Sequence, residues 1–148
     1  MLYTVGEMAK RLGVAPSTLR YYDKEGLLPF VERSGGGIRL FKEADFEWLR
    51  VIECLKKTGM SLADIKHFVE MSMQGDDTID ARLALILKQK EAVKAQLADL
   101  NQTLKVLEFK AWYYQTAKDA GTTAVPRNMT PDELPEEYRA VREALRGE

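Results

Sequence analysis

The sequence predicts a mostly α-helical protein with one small β-hairpin. Near the N-terminus, a glycine-containing turn joins two short helices, and a triple-glycine segment soon afterwards separates two apolar runs. Residues 79–120 then form one uninterrupted helical stretch with a heptad repeat. These observations predict a helix-turn-helix head over residues 1–75, a coiled-coil helix over 79–120, and a linker with a short terminal helix over 121–148.

Charge and composition narrow the functional classes. The 148 residues carry 22 Lys and Arg against 23 Asp and Glu, but residues 1–42 hold seven basic and four acidic residues. A basic head is compatible with nucleic-acid binding, although this bias alone does not establish it. We expect a cytoplasmic protein with no membrane partner, because no apolar run reaches the ~18–20 residues of a membrane span and no secretory signal is present. The single Cys54 and single His67 exclude an intramolecular disulfide and leave few ligands for zinc.

Local signals define the first two helices. The Thr4 hydroxyl and the Glu7 carboxylate form a predicted capping box at the start of the first helix, which ends at Gly13. Pro16 suits the first position of the second helix, which stops at Gly26. Two short helices with a turn of about three residues between them are typical of a helix-turn-helix motif.

A β-hairpin and two further helices follow. Residues 30–33 and 38–41 flank a Ser-Gly-Gly-Gly tip, and acidic residues at 43–45 open a third helix. Residues 61–64 cap a fourth helix, which is followed by a hinge at residues 74–77. The inward apolar positions predicted for these two helices are Phe46, Leu49, Ile52, Leu55, Ile65, Phe68, Val69 and Met73.

The long helix carries an apolar stripe that a single helix cannot bury alone. The stripe has the alternating three- and four-residue spacing of a coiled coil, with Lys90 as its polar exception, and therefore predicts a homodimer. The alternative is that this helix folds back on its own head. We call the predicted dimer contacts the seam: Ile86, Val93, Leu97, Leu100, Leu104, Leu107, Ala111 and Tyr114.

The last part of the chain is predicted to be a linker at 121–130 and an amphipathic helix at about 131–145. Trp112, Tyr113 and Tyr114 lie just before it, near the end of the long helix. They either line a pocket for an apolar effector or seal the helix end against the tail or the partner's head, and we favour the seal.

Five motifs lie in the first half of the chain: YTVGEMA at residues 3–9, STLRYYD at 17–23, GLLP at 26–29, GIRLF at 37–41 and LKKTGMSLADI at 55–65. In this order and spacing they resemble the MerR family of bacterial transcription regulators. The resemblance implies a winged helix-turn-helix head and an antiparallel coiled-coil homodimer. It also implies binding to double-stranded promoter DNA at a near-palindromic operator, with RNA polymerase on the same promoter. Such regulators activate by distorting promoters whose recognition elements are too widely spaced.

The candidate DNA contacts lie on the second helix, the hairpin wing and the end of the third helix. Arg20 and Tyr21 lie where a recognition helix presents donors to phosphates or base edges. In the wing, Arg39 is a candidate for a backbone or minor-groove contact, and Lys56 and Lys57 are candidates for phosphate contacts. The alternatives are that Tyr21 or Tyr22 packs in the head and that the lysines are merely solvated. The full predicted set is Ser17, Thr18, Arg20, Tyr21, Gly37, Ile38, Arg39, Lys56 and Lys57.

Cys54 is the remaining candidate for a reactive side chain. Its surroundings, IECLKKTGMS at residues 52–61, resemble the aldehyde- and thiol-responsive branch of the family that includes AdhR and NmlR. In that branch a cysteine on the third helix is proposed to react with an electrophile and alter DNA binding. Arg50, Lys56 or Lys57 would favour the reactive thiolate if suitably placed. The alternative is that Cys54 serves as a small packing residue.

Other functional classes are disfavoured. Metal sensors of the family use cysteines that residues 77–80 and 121–127 lack, so we expect neither a metal nor another cofactor. No phosphate-binding glycine loop or nucleophile–base pair is present, so we predict that the chain is not an enzyme. A non-covalent apolar effector and constitutive DNA binding remain alternatives. A coiled-coil interaction adaptor is another, but it leaves Arg20 and Arg39 unexplained.

Overall fold

A computed structural model describes residues 1–146 and confirms the mostly helical fold with one hairpin. The chain divides into one unit over Met1–Val93 and a second unit that begins at Lys94. In chain order the elements are helices α1 (Val5–Leu12) and α2 (Pro16–Lys24), strands β1 (Glu32–Arg33) and β2 (Arg39–Leu40), and helices α3 (Glu43–Lys57), α4 (Leu62–Gln74), α5 (Ile79–Ala120), α6 (Ala124–Asn128) and α7 (Glu136–Arg146). Short 3₁₀ turns at Asp76–Thr78 and Pro131–Glu133 precede α5 and α7.

Local chemistry sets the bounds of the first helices. The Glu7 amide donates to Thr4 Oγ1 and the Thr4 amide donates to Glu7 Oε2, so the predicted capping box is confirmed. Gly13 ends α1 in the left-handed region at φ 72°, which a residue with a side chain rarely adopts. Pro16 occupies the first turn of α2, where its missing N–H leaves no helical hydrogen bond unmade.

In the first unit, the four helices of the head surround one hydrophobic core. Partly buried Leu85 of α5 packs against this core, and Gln89 Nε2 of α5 donates to the Thr58 carbonyl at 2.7 Å. The beginning of α5 is therefore joined to the turn that follows α3. The fully buried core side chains include Met8, Leu19, Tyr22, Leu27, Phe41, Ile52, Ile65 and Val69.

The hairpin is shorter than predicted. Only Glu32–Arg33 and Arg39–Leu40 pair as antiparallel strands. The backbone of Phe41 instead exchanges two hydrogen bonds with Tyr3, at 2.8 and 2.9 Å. Phe41 thus pairs with the N-terminal residue Tyr3, whereas the predicted longer hairpin would have paired Phe41 with its other strand.

The inward position predicted for Met73 is wrong. Met73 is 54% exposed, whereas Met71 is buried. Met71 lies almost opposite Val69 on α4, since successive helical residues are about 100° apart. The chain turns back after α4, and the Thr78 hydroxyl donates to the Met71 carbonyl at 2.6 Å. Met71 is buried beside this returning chain, on a side of α4 that the apolar spacing does not predict to be buried.

In the second unit, the tail packs on the end of α5 through aromatic rings. Buried Phe109 lies 6.2 Å from Trp112, 6.2 Å from Tyr113 and 5.9 Å from Tyr138 of α7, measured between ring centroids. This packing matches the sealing arrangement for Trp112 and Tyr113, whereas Tyr114 remains exposed.

The predicted linker and tail helix also differ from the structure. The segment predicted as a linker contains α6, and the tail helix begins at Glu136. Pro135 has no N–H to donate to the preceding turn, so it separates the 3₁₀ turn from α7. Its carbonyl accepts from the Tyr138 amide at 3.0 Å and supports the new helix start.

The seam side chains of α5 face solvent in the single chain. Their exposure runs from 37% for Ile86 and Val93 to 66% for Leu100, and Ala111 is also exposed. Within the second unit, the buried Phe109 lies about 200° around the helix from Leu107. In this unit α7 therefore covers the side of α5 that carries Phe109 and leaves the seam open.

Candidate nucleic-acid interface

Helix α2 has a buried side and an exposed side. Leu19 and Tyr22 are fully buried in the head core, whereas Ser17, Arg20 and Tyr21 face solvent. Tyr21 is 47% exposed, so Tyr22, not Tyr21, is the packed tyrosine. The sequence has therefore placed a guanidinium, a phenol and a hydroxyl along one accessible edge of α2, and Thr18 is partly exposed beside them.

The wing presents its tip to solvent. The Ser34 amide donates to the Ile38 carbonyl at 2.8 Å, and the Gly37 amide donates to the Ser34 carbonyl at 2.9 Å. Gly37 adopts φ 80°, the left-handed conformation that this tight turn requires. Ile38 is exposed, so both predicted tip contacts, Gly37 and Ile38, are accessible to a large partner.

An unpredicted carboxylate connects the wing to α2. Asp23 Oδ2 accepts hydrogen bonds from Arg33 Nη2 and Arg39 Nε, both at 2.6 Å. These ion pairs bring Arg39 to the helix that carries Arg20 and Tyr21. The opposite charges of Asp23, Arg33 and Arg39 were the available sequence signal, but no spacing rule pairs residues on a helix and a hairpin.

The two lysines at the end of α3 have different surroundings. Both are exposed, but Lys56 Nζ lies 5.0 Å from the centroid of the Tyr22 ring, within the range of a cation–π contact. Lys57 instead lines a shallow groove beside Cys54. The structure therefore brings Lys56, and not Lys57, to the buried tyrosine of α2.

Cys54 is exposed on α3. Together with Phe46, Arg50 and Lys57, it lines a groove of about 220 Å³. Arg50 and Lys57 lie one helical turn before and after Cys54, so both cationic side chains share its side of the helix. A second groove, of about 410 Å³, runs along Cys54 and Leu55. Lys56 is directed toward Tyr22, whereas Arg11, Arg50 and Lys57 line the groove with Cys54, together with the acidic Glu53.

A second unpredicted network holds the N-terminus against α3. Glu43 accepts two hydrogen bonds from the Arg11 guanidinium, at 2.7 and 2.8 Å, and one from the Tyr3 hydroxyl at 2.9 Å. These bonds, those from Arg11 first, lower the pKa of Glu43 to about 2. The network fixes Tyr3, which pairs with Phe41 at the base of the wing.

Residues 1–146 contain no group of three or more His, Cys, Asp or Glu side chains placed to hold a metal ion. In the same part of the chain, no helix is both long enough and apolar enough to cross a membrane. His67 is exposed on α4.

A helix-turn-helix with an exposed Arg–Tyr edge, joined to an arginine-bearing hairpin, defines a winged helix-turn-helix DNA-binding protein. Residues 3–72 match the family described as MerR HTH family regulatory protein, and residues 46–108 match that described as MerR, DNA binding. The chain belongs to the MerR family of DNA-binding transcription regulators, which confirms the predicted resemblance.

Relatives and a solved structure support this assignment. An uncharacterized HTH-type transcriptional regulator of Haemophilus influenzae is 49% identical over 122 residues, which cover 82% of this chain and 90% of the relative. The regulator AdhR of Bacillus subtilis is 32% identical over 59% of this chain and 62% of AdhR. The crystal structure of HiNmlR, a MerR family regulator lacking the sensor domain, was solved bound to promoter DNA. It is 48% identical, with a TM-score of 0.71, and the match covers 84% of this chain and 99% of HiNmlR.

Proposed function

We propose that this regulator binds a near-palindromic operator in promoter DNA as a homodimer, through the exposed edge of α2 and the wing. The observation that carries the proposal is the solvent-facing edge of α2 with Arg20 and Tyr21. Asp23 of the same helix binds Arg39 and so joins the wing to α2. Membership of the MerR family and the promoter-bound HiNmlR structure support the same partner. In this proposal the chain has no catalytic role and needs no cofactor.

Each proposed contact has a physical role. Arg20 and Tyr21 donate to phosphates or base edges in the major groove, and the hydroxyls of Ser17 and Thr18 donate beside the N-terminus of α2. Arg39 binds backbone or minor groove from the wing. The remaining proposed contacts are Gly37 and Ile38 at the wing tip and the phosphate-binding Lys56 and Lys57.

The homodimer is supported by the exposed seam of α5. An unpartnered row of leucines such as Leu97, Leu100 and Leu104 exposes apolar area that a second helix would remove from water. An antiparallel pairing of two α5 helices gives the dimer a twofold axis, and two heads related by such an axis recognise two related half-sites. Distortion of the DNA between these half-sites would change how RNA polymerase engages the promoter.

Fragment selection with a salt series tests the DNA-binding proposal. Genomic fragments retained by the purified full chain are sequenced, and the affinity for the selected site is measured at several salt concentrations. We expect a near-palindromic sequence and an affinity that falls steeply with salt, because phosphate contacts release bound cations. Fragments without a common sequence, or an affinity independent of salt, would overturn the proposal.

We propose further that Cys54 senses electrophiles such as aldehydes. The exposure of Cys54 and its place in a groove with Phe46, Arg50 and Lys57 support the reaction, because a small electrophile can reach the sulfur there. The thiolate sulfur attacks the carbonyl carbon and forms a C–S bond. The carbonyl π electrons move to oxygen, which takes up a proton, and the product is a hemithioacetal. No oxidant is required.

The similarity to AdhR supports the choice of this branch. Treatment of the full chain with methylglyoxal is expected to slow the irreversible alkylation of Cys54 by iodoacetamide, because the hemithioacetal occupies the sulfur, and mass mapping of the alkylated cysteine measures this protection. Alkylation at the same rate with and without methylglyoxal would contradict the proposal and favour the non-covalent or constitutive alternative.

A further inference from the structure

The two arginines of the wing form an unfavourable pair that Asp23 relieves. Arg33 of β1 and Arg39 of β2 are direct cross-strand partners in the antiparallel register. Like charges directly opposite one another destabilise a pair of strands. Asp23 Oδ2 lies 2.6 Å from a nitrogen of each guanidinium, so one carboxylate offsets the repulsion between the two strands.

The wing has little stability of its own. Its strands are two residues long and its tip contains three glycines, and an isolated hairpin of this kind is marginal in water. The Tyr3–Phe41 pairing holds its base. Nearer the tip, contact with α2 runs through Asp23, whose side chain is 13% exposed, and Arg39, whose side chain is 22% exposed. Ion pairs shielded to this degree are screened less by salt than fully exposed ones.

We propose that Asp23 is a positioning residue that docks the wing on α2 and orients Arg39 for DNA. The inference rests on the proposed DNA contacts above. A guanidinium has five N–H donors, and Asp23 engages the one on Nε of Arg39. Both Nη groups of Arg39 then remain to donate to a phosphate. Arg20 lies on the same side of α2 as Asp23, at i and i+3, so the carboxylate joins the wing to the proposed major-groove contact.

This role predicts that loss of the Asp23 charge changes operator affinity in the direction opposite to that expected from charge repulsion with DNA. Removal of a negative charge beside DNA ordinarily strengthens binding. If Asp23 positions the wing, Asp23→Asn instead weakens operator binding, by about tenfold, because the charge-assisted bond that orients Arg39 is lost. Glu25→Gln is the matched control, since it removes the same charge from an exposed neighbour, and it is expected to leave binding unchanged or tighter. Asp23→Glu keeps the charge and should recover most of the affinity.

A background that lacks both wing arginines tests whether Asp23 acts on DNA affinity through them. In an Arg33→Ala, Arg39→Ala background, Asp23→Asn is expected to cause no further loss of affinity, since the groups that it orients are gone. A full tenfold additional loss in that background would overturn the proposal.

Amide hydrogen exchange of the free protein tests the docking without DNA. Asp23→Asn is expected to accelerate exchange of the Ser34 amide, which bonds to Ile38, while the Ile52 amide in α3 is unchanged. Unchanged Ser34 protection, equal acceleration at Ile52, or wild-type operator affinity in Asp23→Asn would each overturn the proposal. Failure of the wild-type chain to bind promoter DNA would instead overturn the proposed function. The exchange experiment would still test the docking of the wing, because it contains no DNA.

Discussion

Tyr22 of α2 and Glu53 of α3 share a hydrogen bond of 2.6 Å, donated by the tyrosine hydroxyl. Burial first, and this bond to a carboxylate second, raise the pKa of the Tyr22 hydroxyl, which therefore stays protonated and keeps donating. Tyr22 adjoins Tyr21 on α2, and Glu53 adjoins Cys54 on α3. The bond thus connects the proposed DNA-reading helix with the helix that carries the proposed sensor.

Replacement of Tyr22 by Phe is expected to lower the free energy of unfolding by about 1–2 kcal/mol, because a hydrogen bond to a charged acceptor is lost at a buried site. Urea denaturation at one fixed protein concentration measures the change, since the proposed dimerisation would make stability depend on concentration. Tyr21→Phe is the control and should change stability by less than about 0.5 kcal/mol, because Tyr21 is a surface position. Equal losses in the two variants would contradict this role of the Tyr22 hydroxyl.

The low pKa of Glu43 gives a pH dependence of defined sign. Its pKa falls from an ordinary value of 4.5 to about 2, so the stabilisation by Arg11 and Tyr3 is complete above pH 4.5 and is lost as the pH falls toward 2. The wild type should therefore have a higher melting temperature than Glu43→Gln at neutral pH, and this difference should vanish near pH 2. Glu47→Gln, at an exposed position of the same helix, is the control.

A carboxyl-carbon NMR titration gives the pKa of Glu43 directly. A midpoint near 4.5 would show that the Arg11 contact does not persist in solution.

Substitution of both Leu100 and Leu107 by Asp is expected to convert the proposed homodimer to monomers. The two carboxylates would lie in the proposed seam, where burial of an unpaired charge is strongly unfavourable. Sedimentation analysis measures the association state. Ala95→Asp with Ala98→Asp is the control, since it introduces the same number of aspartates and the same change of charge at exposed positions of the same helix away from the seam. A dimer that survives the leucine changes would show that the seam is wrongly assigned.

Replacement of Cys54 by Ser is expected to preserve promoter binding and abolish the response to aldehydes, because serine is similar in size but lacks the soft nucleophile. Promoter output with and without methylglyoxal, in cells carrying either chain, measures this response. An equal aldehyde response in wild type and Cys54→Ser would make Cys54 a bystander.

Short-range signals predicted the helices well, whereas contacts between distant elements escaped them. The Thr4–Glu7 cap, the turn at Gly13 and the start at Pro16 depend on neighbours within a few residues, and the structure has all three. Asp23 joins residues 10 and 16 positions away, so its partners depend on the docking of the hairpin. Charge alone could not select among the acidic residues of the head.

The tail shows the same limit in another form. The sequence predicts an amphipathic last helix, but the ring contacts of its Tyr138 with Phe109 and Trp112 of α5 could not be deduced from periodicity. The seam repeat dominates the pattern of the long helix. For this reason the sequence pattern did not reveal the second apolar side of the helix at Phe109, which α7 covers.

The affinity of Arg20→Ala and Arg39→Ala for the selected operator, compared with a scrambled sequence at several salt concentrations, tests the central claim most directly. If Arg20 reads a base, its loss should remove about 1–3 kcal/mol of discrimination between the two sequences. If Arg39 binds a phosphate, its loss should weaken binding to both sequences alike and reduce the salt slope by about one. Melting temperatures close to wild type would show that the head remains folded. Wild-type affinity, discrimination and salt slope in both variants would contradict the assignment of α2 and the wing as the DNA-binding surface.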